Sequence, residues 1–132
     1  MLEELVGRRL RAVERLAWHP DDTESVELNV GPVHLWFDDG RSVHITGAGD
    51  FTLRWELFER GDDGWLGRYD YHFGGRWVVR DSTQEEPFVG LVGNLLNAAT
   101  PEFNEVNEVT GMTLDFHQRK LGLMLVNGEI TT

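Results

Sequence analysis

The chain has 132 residues, 40% of them apolar, no cysteine, and a formal net charge of −11. This is enough for one hydrophobic core, so a single domain over 1–132 is expected. The missing cysteine excludes a disulfide framework, a thiolate zinc site and a cysteine nucleophile; the acidity disfavours nucleic acid and would suit a basic protein partner, while the plainer and preferred reading is that the acids keep a small domain soluble.

The charge is uneven, because residues 21–66 carry eleven acids against three arginines while the first twenty residues are slightly basic. At the N-terminus, "MLEELVGRRL" puts acids before arginines and lacks an apolar run, the wrong order for a secretory signal. No stretch approaches the roughly 20 apolar residues of a membrane span. A cytoplasmic protein away from membranes is the expectation.

The stretch "LVGRRLRAV" (Leu5 to Val13) lies within a segment, Leu2 to Ala17, whose apolar residues fit a helical stripe. A near copy, "LVGNLLNAA", returns at Leu91 and sets Pro101 opposite Arg15. Proline inside a helix costs about 3 kcal/mol, whereas a strand tolerates it at an edge or bulge. Both copies are therefore read as strands, each preceded by a short helical turn, near Met1 and near Glu85.

In "GPVHLWF", Val33, Leu35 and Phe37 alternate with polar or aromatic residues, as Met112, Leu114 and Phe116 do in "GMTLDF". Each run leads through a polar turn to a third alternating run, giving two related three-strand units. For the turn after Phe37, a three-residue loop Asp38 to Gly40 keeps one face apolar. It sets Leu35 against Val43 and Val33 against Ile45, and on the other face His34 opposite His44 and Trp36 opposite Ser42.

Next, "DFTLRWEL" reads as a strand broken by "RGDDG", and "WLGRYDYHF" with "RWVVR" reads as a hairpin in which Tyr69, Tyr71 and Phe73 share a face. The total is eight or nine strands. The fold class is mainly β: an antiparallel meander sheet curled into a partly open barrel or a sandwich.

Chemistry-bearing patterns are sparse. The His34 and His44 pair could ligate a metal through imidazole, but no third ligand is fixed beside it, and the pair is read as exposed on a solvated face. Ser25, Ser42 and Ser82 lack a nucleophile-elbow pattern, and "GAGD" lacks the spacing of a phosphate loop. The pairs Asp21 and Asp22, Asp38 and Asp39, Asp62 and Asp63 fall in turns, where paired acid and base roles lack the unequal environments they need. No metal or other cofactor and no catalytic residue is implied.

The segments "LVGRRLRAV", "GPVHLWFDDGRSVHI", "DFTLRW" and "VTGMTLDFHQRKLGLMLVNGEI" resemble a loose group of small bacterial β-rich proteins. Those share G-x-x-L-x-A-V strands, an "fDDGr" hairpin and a terminal "tG-x-x-L-x-F", and the resemblance implies no activity.

Two functional readings follow. The first is a non-catalytic binding protein, an immunity-like or regulatory partner of a basic protein. Its contacts would be Asp21, Asp22, Asp38, Asp39, Asp62 and Asp63, with His34, His44, Trp36, Tyr69 and Tyr71 as anchors. The second is a small-ligand β module with an aromatic-lined cleft.

Overall fold

The computed structural model describes residues 2–22 and 27–132; Ser25, weighed above as a nucleophile, lies outside them. The chain is mainly β. A 3-10 helix at Leu2–Leu5 leads into β1 (Leu10–Pro20), β2 (Val33–Phe37), β3 (Ser42–Gly47) and β4 (Leu53–Phe58). A second 3-10 helix, Gly64–Tyr69, precedes β5 (Gly75–Asp81), and then come β6 (Leu96–Phe103), β7 (Val109–Phe116), β8 (Arg119–Val126) and β9 (Glu129–Thr131).

These strands make two antiparallel sheets, ordered β4-β3-β2-β1-β5 and β6-β7-β8-β9, an open sandwich. Alternation explains the layers. Val33, Leu35, Phe37, Val43 and Ile45 of the first sheet share one buried cluster with Met112, Leu114, Phe116, Leu121 and Leu123 of the second. Burying each such side chain stabilises the fold by about 1.5–3 kcal/mol.

The β2–β3 hairpin has the expected register, with Leu35 against Val43, His34 against His44 and Trp36 against Ser42. Gly40 supplies the left-handed residue of its three-residue turn, at φ 88°. The second copy turns more tightly, through His117 and Gln118, both at positive φ.

The echo of "LVGRRLRAV" is real in three dimensions, although its first residues are not strand. Leu5 ends the 3-10 helix, Gly7 turns the chain at φ 88°, and the strand starts at Leu10. In the second copy Leu91 is likewise buried, Gly93 turns at φ 92°, and β6 starts at Leu96. The two copies then bond reciprocally. The Gly7 N–H donates to the Leu96 carbonyl (2.8 Å) as Gly93 does to Leu10 (2.7 Å), and Leu10 donates to Asn94 (3.0 Å) as Leu96 does to Arg8 (2.9 Å). Even the register irregularity recurs, between Leu10 and Ala12 and between Leu96 and Ala98. Each unit is a four-strand meander rather than the three strands expected, because β4 and β9 add to the far edges.

Between the two units lies the segment that departs most from expectation. "WLGRYDYHF" is not a strand: Gly64–Tyr69 is helical, and a single bridge, His72 to Arg76, joins it to the following run. Tyr69, Tyr71 and Phe73 therefore share no strand face. β5 instead pairs along β1, from Glu14 against Asp81 to Pro20 against Gly75, where it meets a strand edge longer than its own hairpin offers. Residues after Glu85 form the expected helical turns, with the Phe88 N–H donating to the Glu85 carbonyl (2.8 Å).

Among the described residues one cation is buried. Arg15, only 1% exposed, donates to Thr132 Oγ1 (2.6 Å) and to the carbonyls of Ile130 (3.2 Å) and Gly31 (3.3 Å), tying β1 to the last strand. Burial pushes its pKa down to about 10; Arg80 adds to this and Glu85 opposes it.

Candidate functional site

On its outer face the five-stranded sheet carries a row of titratable residues, one per strand. Register sets Asp81 of β5 beside Glu14 of β1, Glu14 beside His34 of β2, His34 beside His44 of β3, and His44 beside Glu56 of β4. The carboxylates stand toward solvent and the imidazoles are sealed.

His34 and His44 are 0% and 2% exposed, so the expectation of a solvated pair is overturned. The cover is Trp65, fully buried, whose ring stacks on His34 at 3.9 Å and on His44 at 4.8 Å. Leu16 is buried outside the inter-sheet cluster and pairs with Val79 on this same face. The 3-10 helix Gly64–Tyr69 thus closes a second, smaller core on the back of the sheet. Asp62 holds its start, Oδ1 accepting from the Gly64 N–H (2.9 Å).

The two Nδ1 atoms are 3.1 Å apart, and His44 Nε2 is 2.5 Å from the Tyr69 hydroxyl. Burial pushes the pKa of His34 down to about 3, with repulsion from His44 adding to it. Burial likewise takes His44 down to about 4; Arg68 lowers it further and Glu56 opposes. Both rings are therefore neutral near pH 7, so one Nδ1–H donates to the other Nδ1 and the Tyr69 hydroxyl completes a directed chain. Its far end, His34 Nε2, is buried without a partner, as are Trp65 Nε1 and Ser42 Oγ. Tyr69 is held above the usual phenol range by burial, opposed by its hydrogen bond from Thr46.

Two clefts flank the helical segment. One, of about 410 Å³, is lined by Arg11, Ala12, Glu14, Trp36, Gly61 and Asp81. The Trp36 indole N–H donates to Glu14 Oε1 at 2.6 Å, and Asp81 Oδ1 accepts from the N–H and hydroxyl of Thr83 at 2.9 and 2.5 Å. The other, of about 350 Å³, is lined by Leu66, Gly67, Tyr69, Asp70, Trp77 and Val79. Aromatic edges knit its floor, with Trp77 edge-on to Tyr69 at 5.2 Å and to Trp18 at 5.6 Å.

The residues expected from sequence are partly gathered here. Trp36, His34, His44 and Tyr69 belong to this face, and exposed Tyr71 accepts from the Trp77 indole at 2.7 Å. The Asp38–Asp39 and Asp62–Asp63 turns are neighbours, because the Gly61 N–H donates to the Gly40 carbonyl (3.0 Å). Asp39 is occupied by Arg41 (2.7 Å) and Arg8 (3.4 Å) and so is not free for a partner. Asp21 and Asp22 stand at the opposite end of β1, where Asp21 meets His72 at 2.8 Å. Sequence reasoning missed Glu14, Asp70 and Asp81, and it left Trp65 and Trp77 without a place. The only hint was that Glu14 and Asp81 each lie in a strand otherwise rich in apolar residues.

Among the described residues no group of three or more His, Asp or Glu side chains converges as a metal site would need. Nor is any helix among them long and apolar enough to cross a membrane. No family model, curated protein or solved structure matches the chain, so the resemblance noted in the sequence carries no family assignment.

Proposed function

We propose that this is a non-catalytic binding protein that covers a basic partner with the outer face of its five-stranded sheet, in an immunity-like or regulatory role. The observation that carries the reading is that each cleft is lined by both an indole and carboxylate, Trp36 beside Glu14 and Asp81 in one, where the indole N–H donates to Glu14, and Trp77 and Asp70 in the other. Aromatic rings give a rigid contact surface and attract cations over their faces, while a net charge of −11 steers a basic surface toward them. Both clefts lie open to solvent. A small-molecule site would bury most of its ligand, so their shape favours a protein surface over the small-ligand module.

Titrating the five tryptophans' fluorescence with a short basic peptide, and with an acidic one of equal length, tests the reading. The basic peptide is expected to change the emission at low salt and to lose its effect at high salt. Indifference to the basic peptide at low salt would overturn the proposal.

A further inference from the structure

Glu14 and Asp81 are directly opposed across β1 and β5. The Ser82 N–H donates to the Val13 carbonyl (2.8 Å), so the adjacent Glu14–Asp81 pair occupies the non-hydrogen-bonded position, where side chains stand closest. Like charges directly opposite across paired strands are disfavoured as a rule, and a cation seated between them offsets this.

Each carboxylate is held by one oxygen only. Glu14 Oε1 is held by the Trp36 indole and Asp81 Oδ1 by Thr83, which leaves Glu14 Oε2 and Asp81 Oδ2 without a donor among the described residues. Arg11 lines the same cleft but forms no ion pair with either of them. The third wall is Trp36, and a planar cation that lies against an indole while donating two parallel N–H bonds to carboxylate is a guanidinium rather than an ammonium.

We infer that the cleft between Trp36, Glu14 and Asp81 is a pocket for one arginine side chain of the basic partner. The inference rests on the reading of this face as the binding surface and goes further by naming the side chain and its seat.

Two peptides of equal length and charge, one arginine-based and one lysine-based, separate the two claims when titrated against the wild-type protein and the variants Asp81→Asn, Glu14→Gln and Glu105→Gln. Glu105 is exposed in the turn between β6 and β7 of the other sheet and serves as the charge control. The arginine peptide is expected to bind about tenfold more tightly than the lysine peptide. Asp81→Asn and Glu14→Gln should remove most of that preference and Glu105→Gln none of it, with circular dichroism confirming that each variant is folded. Equal binding of the two peptides, or a preference that survives Asp81→Asn, overturns the arginine pocket and leaves the acidic binding face standing. Binding of neither peptide overturns both.

Discussion

The buried imidazole pair makes the protein's stability depend on pH in a window set by His34 and His44. Unfolded histidine titrates near 6.5, while in the folded protein burial pushes His34 down to about 3 and His44 to about 4. The folded state thus resists protonation that the unfolded state accepts. The stability these groups contribute is fully present above about pH 6.5 and is lost as pH falls through the folded values. At pH 5 the unfolded chain carries both protons and the folded chain almost none, so each ring costs about 2 kcal/mol and the pair about 4 kcal/mol. That is a large share of a typical stability of about 5–15 kcal/mol. The carboxylates whose pKa is lowered in the fold, such as Asp39, Glu56 and Glu85, lose their contribution mainly below their unfolded values near 4, and so add little between pH 7.5 and pH 5.0. Denaturant unfolding at pH 7.5 and pH 5.0 measures the loss. The double variant His34→Leu with His44→Leu replaces both buried partners by apolar groups and should abolish most of it. A wild-type stability that is flat between these pH values, or an equal loss in the double variant, would refute the reasoning.

Arg15→Ala removes three hydrogen bonds from a guanidinium and leaves the carbonyls of Gly31 and Ile130 facing a cavity. Chemical denaturation should show a loss of about 3 kcal/mol, and a change below about 1 kcal/mol would mean that the C-terminal strand is held without it. Pro101→Val restores a backbone donor to the outer edge of β6, which no strand among the described residues covers. Size-exclusion chromatography across a concentration series should show larger species than wild type, while identical elution would show that the edge is guarded by something else.

The parts of this fold legible in the sequence are those decided by neighbours in the chain. The β2–β3 register followed from one turn glycine and the need to keep Leu35, Val43 and Ile45 on one face, and it carried the facing of His34 and His44 with it. Their burial was not legible, because it depends on Trp65, a residue more than twenty positions from either ring's own hairpin partner. The segment bearing Trp65 looked like a strand by alternation. Its actual structure follows from β5 pairing with β1 rather than with that segment, a long-range choice that local pattern does not encode. Glu14 escaped for a similar reason, since the irregularity between Leu10 and Ala12 sets which residues of β1 face outward. The acidic turns were legible as turns. That Asp38 and Asp62 lie near each other depends on the bond between Gly61 and Gly40.

The asymmetry between the two repeat units locates the site. In β1 the Leu16 N–H donates toward β2, to the Pro32 carbonyl (3.0 Å), so the neighbouring Arg15 turns its own N–H and carbonyl toward β5. The equivalent position in β6 is Pro101, opposite Met112 where Arg15 is opposite Val33, and it has no N–H to offer. Of two edges built alike, β1 therefore presents an unbroken ladder and β6 an interrupted one. The segment linking the two units adds its strand to β1. With that strand come Trp77 and Asp81, and the connection leading into it brings Trp65 over the histidines and Asp70 to the second cleft. Among the described residues the second unit has the same meander and no added strand, and so lacks both clefts. The proposed binding face is thus a property of the linking segment and of the one edge able to receive it, which is why Pro101→Val tests the architecture as well as the edge.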